Sequence, residues 1–193
     1  MPSVSDEPHL ILASRSPQRR AILEQLGVQF SVVVPEVDEL ADGEPVEVAL
    51  ENASRKAAVI AADRPGAPVL GVDTVVHLDG RIYGKTEHRD AARATLIALS
   101  GRRHEVISGI CLVEHGHSRT CAVTTLVEFR PLDDRLIDWY LSSGEWRERA
   151  GCYAVQGRGA ALVARIEGDY QNVVGLPVTA LLELAPELLQ LNG

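Results

Sequence analysis

Leu10 to Ala13 is a short unbroken apolar run, which predicts a buried strand. The chain then turns at Ser14-Arg15-Ser16-Pro17 into a helix. Ser16 suits the N-cap and Pro17 the first helical position, Ile22, Leu23 and Leu26 form the apolar stripe, and Gly27 ends it. Phe30 to Val34 is the next strand, stopped by Pro35. Pro45 to Ala62 is apolar at Val46, Ala49, Leu50, Ala53, Ala57 and Ile60, the spacing of a second helix. Val69 to Val72 and Thr74 to Leu78 form a strand region. Asp79-Gly80 then predicts a two-residue hairpin returning through Arg81 to Tyr83.

Ala91 to Leu99 reads as a helix closing at Gly101, and His104 to Glu114 with Ser118 to Phe129 as a long hairpin around His115-Gly116-His117. Asp133 caps a helix through Leu141, with Leu132 just outside as a hydrophobic staple. A glycine-punctuated strand section is expected over Gly151 to Val178, and a terminal helix from Pro177 onward, interrupted near Pro186. Strands and helices intermix while several connections are hairpins, so the expected fold is α/β with a mixed, curved sheet flanked by helices. No repeat, low-complexity tract or linker divides the chain. Residues 1–193 are therefore expected to be a single domain, with residues 1–8 a loose N-terminus.

Composition narrows the function. With 193 residues, 46% of them hydrophobic, the chain has ample apolar surface for a core and room for two lobes. Its formal charge of −8 argues against a protein that coats DNA or RNA. No apolar stretch approaches the roughly 18 residues of a membrane span. Met1 to Pro8 is polar and acidic, unlike a signal or transit peptide, so the expectation is a cytoplasmic protein. Cys111, Cys121 and Cys152 are odd in number and far apart, which reads as reduced and buried rather than metal-binding. His115 and His117 read as surface residues of a hairpin tip. Of the 19 basic residues only Lys56 and Lys85 are lysines; a mutational arginine bias or chance accounts for such a count, and a need for a compact ammonium at these two places is the other reading.

Five segments could carry chemistry. Ser14 to Arg20 joins a strand to a helix start and brings two hydroxyls and three guanidinium groups, the makings of an anion site. An ordinary capped helix with surface arginines is an equally open reading. Glu51 to Ala57, taken alone, reads as the solvated polar face of a helix. Asp73 lies between two apolar β-branched runs, where an acid is costly unless it is paired, binds a metal or acts as a base. It could also be a strand-end residue satisfied by backbone N–H groups. Gly84-Lys85-Thr86 imitates the tail of a phosphate loop, but the upstream glycine spacing is absent and that reading fails. Gln156, before Gly157, could offer a donor and an acceptor to a base edge, although Gly151 to Gly159 and Gly168 to Pro177 also read as loops that merely turn.

Together these segments resemble the Maf family of nucleoside triphosphate pyrophosphatases from about Leu10 to Pro177. The motifs are the Ser-x-Ser-Pro-x-Arg turn at Ser14 to Arg19, Lys56-Ala57, the strand Asp73-Thr74-Val75-Val76 and Gly84-Lys85. They continue with Ser100-Gly101-x-x-His104 and with Tyr153-x-x-Gln156-Gly157 leading to Asn172-Val173-Val174-Gly175-Leu176-Pro177.

The resemblance implies a mixed α/β fold with a cleft between two lobes, similar to inosine triphosphate pyrophosphatases. It further implies a cytoplasmic homodimer and a divalent cation, Mg or Mn, for hydrolysis between the α- and β-phosphates. Carried over by position, Asp73 would activate the attacking water, while Arg19, Lys56 and Lys85 would bind the triphosphate. Ser14 and Ser16 would donate to phosphate oxygens, and Glu39 with Asp73 would hold the metal. Nothing in the sequence suggests a covalent intermediate, which favours direct attack by water. Gln18, Thr74 and Gln156 fall on the positions that track substrate choice. Thr74 and Gln156 match the dTTP/UTP branch. Gln18 replaces the usual arginine, for which Arg15, Arg20 or Arg158 could substitute. Thr86 and Ala154 are lesser departures. Pyrophosphatase activity on a modified nucleotide such as 7-methyl-GTP, or a non-catalytic nucleotide-binding regulator of septum formation, are the alternatives.

Overall fold

The computed structural model describes residues 10–189, so the expectation for residues 1–8 lies outside the described residues. Seven strands form one mixed sheet, β1 (Leu10–Ala13), β2 (Phe30–Val33), β3 (Val69–Leu78), β4 (Arg81–Tyr83), β5 (Arg103–Glu114), β6 (His117–Phe129) and β7 (Val163–Glu167), in the order β2-β1-β3-β5-β6-β7 with β4 also on β3. β1 runs parallel to β2 and β3, and the remaining pairs are antiparallel. Among the described residues six helices accompany it: α1 (Pro17–Gln25), α2 (Pro45–Asp63), α3 (Arg89–Leu99), α4 (Asp134–Ser142), α5 (Tyr170–Val174) and α6 (Val178–Leu184).

The hairpin expectations correspond to tight turns. Asp79 and Gly80 have φ 52° and 76°, and His115 and Gly116 have φ 47° and 78°, the pair of left-handed residues that matches strand twist. Glu114 pairs with His117, so the second turn has two residues rather than the three expected. The expected strand section from Gly151 to Val178 is different: only β7 is a strand there. Short 3₁₀ turns occupy Ala150–Cys152 and Arg158–Leu162, and α5 comes after β7. The left-handed backbone at Gly151 and Cys152 ends any extended run at its start, and Asp169 then caps α5 by accepting from the N–H groups of Gln171 and Asn172.

Strand alternation explains the two lobes. Even-numbered residues of β3 point to one face, where Leu70 and Val72 join a core with α1 and α6 residues, and Val76 and Leu78 join another with α3 and α4 residues. Thr74 sits between the two cores, beside Ser108 of β5, to which it hydrogen-bonds at 2.8 Å. The polar interval separates two apolar clusters on one sheet face, and the cleft opens there. Asn172 of α5 is anchored on β5 and β6, its Nδ2 sharing its two hydrogens among the carbonyls of Val106 and Val123 and the Thr125 hydroxyl.

The opposite face belongs to α2, seated against the sheet through glycines. A Cβ on Gly71 would overlap the carbonyl oxygen of Ala53, and one on Gly109 that of Ala49. Only hydrogen at these positions lets helix and sheet backbones approach so closely. Asp73 lies two residues beyond Gly71 on this face and pairs in register with Gly109.

Candidate active site

β1 covers one edge of β3 only as far as Gly71, and β4 takes up that edge again at Val76. Val72 to Val75 are therefore paired on the β5 side alone, leaving a notch in the sheet. Arg19 fills it. Its Nη1 donates to the carbonyl of Val72 at 2.8 Å and to Ser14 Oγ at 3.2 Å, its Nε to the carbonyl of Gly175 at 2.8 Å, and its Nη2 to Thr74 Oγ1 at 3.0 Å. Four of its five N–H groups thus bond to protein oxygens. Burial pulls its pKa down, opposed by the charges of Asp73 and Glu39. The Ser14-Arg15-Ser16 turn leads into α1 without a side-chain cap, because Ser16 Oγ donates to Gln18 Oε1 instead. The helix start keeps donors for an anion.

On the α2 side the expectation of a solvated polar face is half corrected. Glu51 and Arg55 face solvent and pair with each other at 2.8 Å, but Asn52 and Lys56 are buried. They lie in the same stripe as Ala49, Ala53 and Ala57, on the side pressed to the sheet. Lys56 Nζ lies 2.6 Å from Asp73 Oδ1 and 2.7 Å from Glu39 Oε1, while Lys85 Nζ lies 3.6 Å from Glu39 Oε2. Burial would raise the Glu39 pKa, but the hydrogen bond and charge of Lys56, with Lys85 and Arg19 behind it, hold it below the ordinary glutamate value.

Asn52 completes the arrangement, and the sequence motifs do not include it. Its Nδ2 donates to Asp73 Oδ2 at 3.0 Å and to the carbonyl of Leu40 at 3.0 Å, and its Oδ1 accepts from the N–H of Leu40 at 2.7 Å. One side chain thus ties α2, Asp73 and the segment that carries Glu39. The signal for it is its place one turn before Lys56, in an otherwise apolar stripe.

A cleft of about 400 Å³ gathers most of the candidates: Ser14, Ser16, Gln18, Arg19, Glu39, Lys56, Thr74, Lys85 and Gln156 line it. Asp73 is only 3% exposed and lies directly behind Lys56. Of the arginines that could replace one at position 18, Arg15 lines the cleft. Arg20 pairs with Glu24 on the exposed side of α1, and Arg158 lies over the Trp139 ring; neither lines the cleft. The far wall carries residues that the motifs did not single out as binding groups, Tyr153 with Arg147 and Arg149. Tyr153 hydroxyl is 2.9 Å from His104 Nε2, and both rings stack edge-on with Phe129. The Ser100-to-His104 motif therefore supports the cleft wall from behind. Burial depresses the His104 pKa to about 4, so this ring is neutral at pH 7. Among the described residues no helix is long and apolar enough to cross a membrane.

An acid, two lysines, a helix start and a notched strand edge in one cleft can hold a polyphosphate and move a proton beside it. Comparison with known proteins supplies the family. Residues 9–188 match the model described as Maf-like protein. The chain is 47% identical over 171 residues to a dTTP/UTP pyrophosphatase of Symbiobacterium thermophilum, covering 88% of each chain. It is 42% identical over 179 residues to a dTTP/UTP pyrophosphatase of Pyrococcus furiosus, covering 91% of this chain and 93% of that one. The dTTP/UTP pyrophosphatase of Myxococcus xanthus is 44% identical over 186 residues, 94% of each. With a matched segment that runs through every strand of the sheet and both walls of the cleft, this chain belongs to the Maf family.

Proposed function

We propose that this protein is a nucleoside triphosphate pyrophosphatase that hydrolyses dTTP and UTP to the monophosphate and pyrophosphate. The observation that carries the reading is the Asp73–Lys56–Glu39 constellation, set in one cleft with Thr74 and Gln156, in a chain whose relatives bear that name. In this mechanism a water attacks in line, Asp73 takes its proton, and the phosphoanhydride bond breaks as pyrophosphate leaves. Substrate phosphates compete with Glu39 and Asp73 for the Lys56 ammonium and draw it toward the nucleotide, which frees Asp73 Oδ1 to accept. Ser14, Ser16 and the first turn of α1 donate to phosphate oxygens, while Arg19 holds the notch and Thr74 in place. Thr74 and Gln156 meet the base.

Among the described residues no group of three or more His, Cys, Asp or Glu is placed to hold a metal. A Mg²⁺ or Mn²⁺ site asks less of the protein: one or two carboxylates, with water and substrate phosphates completing the shell. Glu39 and Asp73, joined through one ammonium, fit that demand and would hold the ion. When bound, it would neutralise charge on the phosphates. A cytoplasmic homodimer is part of the same proposal, and sedimentation of the purified protein tests the dimer.

The deciding experiment is turnover with Mg²⁺ or Mn²⁺ against dTTP, UTP, CTP, 7-methyl-GTP and purine triphosphates, reading pyrophosphate and orthophosphate separately. Pyrophosphate mainly from dTTP and UTP is expected. Release mainly from 7-methyl-GTP would move the substrate assignment and point to Gln18. Orthophosphate alone would mean a different scissile bond. Nucleotide-induced thermal stabilisation without turnover would make the protein a binding regulator of septum formation.

A further inference from the structure

The cations that the motifs supply are already engaged with protein groups. Lys56 lies between two carboxylates, Lys85 faces Glu39, and Arg19 has four donors on protein oxygens. Among the described residues the cleft-lining cations that form no ion pair are Arg15, Arg19, Arg147 and Arg149, and of these Arg19 is held by neutral oxygens. Arg147 and Arg149 come from the segment between α4 and the Ala150–Cys152 turn.

That segment is built to hold its shape. Trp146 is 1% exposed and donates its indole N–H to the carbonyl of Leu141 at 3.0 Å, and the Arg147 guanidinium lies 4.9 Å over its ring. Gly144, Glu148, Gly151 and Cys152 all have positive φ, and for Glu148 and Cys152 this costs backbone energy that the surrounding packing must override. Gly151 fits only because it lacks a Cβ, which would press on the Val76 side chain at 2.8 Å. Arg149 lines the cleft, and the turn that follows it packs on the β3–β4 hairpin through Gly151 against Val76 and Cys152 Sγ 4.0 Å from the carbonyl of Gly84.

Arg149 itself is half-buried. Its Nε makes a long bond of 3.4 Å to the carbonyl of Glu145, and its terminal nitrogens make no hydrogen bond to the described residues. Burial lowers its pKa, partly offset by Tyr140, Glu145 and Glu148. Glu148 also lines the cleft, but it forms no ion pair with either arginine. A guanidinium partly stripped of water, with its fork unbonded, lacks a planar or tetrahedral oxyanion partner.

From this geometry we infer that Arg149 is a substrate-binding residue whose fork takes the polyphosphate of the nucleotide, opposite the Ser14-to-Arg19 turn. The inference rests on the cleft being the nucleotide site. It assigns to the far wall the free positive charge that the paired lysines lack, with Arg147 at its rim.

The test measures binding of α,β-methylene-dTTP by calorimetry and of thymidine by saturation-transfer NMR, to wild type, Arg149→Gln and Arg149→Lys. Arg149→Gln should weaken the triphosphate analogue about tenfold or more, the scale of one lost charge-assisted contact. Thymidine should change less than twofold, and Arg149→Lys should recover most of the loss. Recovery by lysine excludes a folding defect as the cause. Unchanged binding of the analogue to Arg149→Gln, or an equal loss for thymidine, overturns the assignment. A wild-type protein that binds neither probe overturns the function reading and this assignment with it.

Discussion

On the α2 side of the cleft every charged group has a partner: Lys56 touches Asp73 and Glu39, Asn52 closes on Asp73, and Lys85 reaches Glu39. On the Gly144-to-Gln156 side Arg147 and Arg149 form no ion pair, although Glu145 and Glu148 lie near enough to act on Arg149, and what holds that wall is Trp146, Tyr153 and the neutral His104. The first wall stores its cations against internal counter-ions, so a ligand must exchange partners there. The second offers charge without exchange. Exchange suits a site where a proton moves, since displacing Lys56 uncovers Asp73 Oδ1. Unpaired charge suits capture.

Four substitutions probe that contrast. Asp73→Asn keeps the shape but removes the proton acceptor, and it should cut pyrophosphate release about a thousandfold while the inert triphosphate analogue still binds. A variant retaining a tenth of the wild-type rate would remove Asp73 from the role of base. Gly71→Ala attacks the seating of α2. It should cost about 3 kcal/mol in denaturant unfolding and depress turnover as well, because Asn52 and Lys56 ride on the displaced helix. Unchanged stability would show that the close approach is dispensable.

The next change concerns the other wall. His104 has a folded pKa near 4 against an ordinary 6.5, so the unfolded chain binds its proton first as pH falls. The stability that its neutral form supplies is complete above pH 6.5 and is lost on the way down to pH 4. Between pH 7 and 5 the loss from this one group should be about 2 kcal/mol, and thermal melts of His104→Gln should show a flatter slope over that interval. Equal slopes would clear His104. The smallest expected effect is that of Asn52→Leu, about a tenfold loss of turnover. It should come with unchanged binding of the inert triphosphate analogue, since the hydrogen bond that has gone orients Asp73 and not the nucleotide. A loss of rate with analogue binding weakened equally would leave Asn52 a packing residue only.

Most of the fold is legible in the sequence because its signals are local. The apolar run at Leu10, the helix spacing from Pro45 and the Asp79-Gly80 turn each specify an element within a few residues. The Gly151-to-Val178 section is illegible for the opposite reason. Its glycines announce positive φ without specifying the element on either side, and the left-handed Glu148 and Cys152 carry no such signal at all. In the site, motif and charge point to Lys56, Lys85, Arg19 and Asp73, but not to which oxygens they face. Asn52 is hidden inside a segment, Glu51 to Ala57, that reads as a solvated face, and its burial depends on two glycines far away in sequence. Arg149 is hidden because an arginine in a loop has the same spelling whether it is solvated or turned into a cleft.

The glycine contact between α2 and the sheet also has a mechanical side. Where most helices rest on a sheet through a layer of side chains that can change rotamer, α2 at Ala49 and Ala53 rests on backbone. No soft layer absorbs a displacement there, so Asp73, Asn52 and Lys56 move together or not at all. Any adjustment within the cleft falls to side chains of its other wall, Arg147 and Arg149 among them.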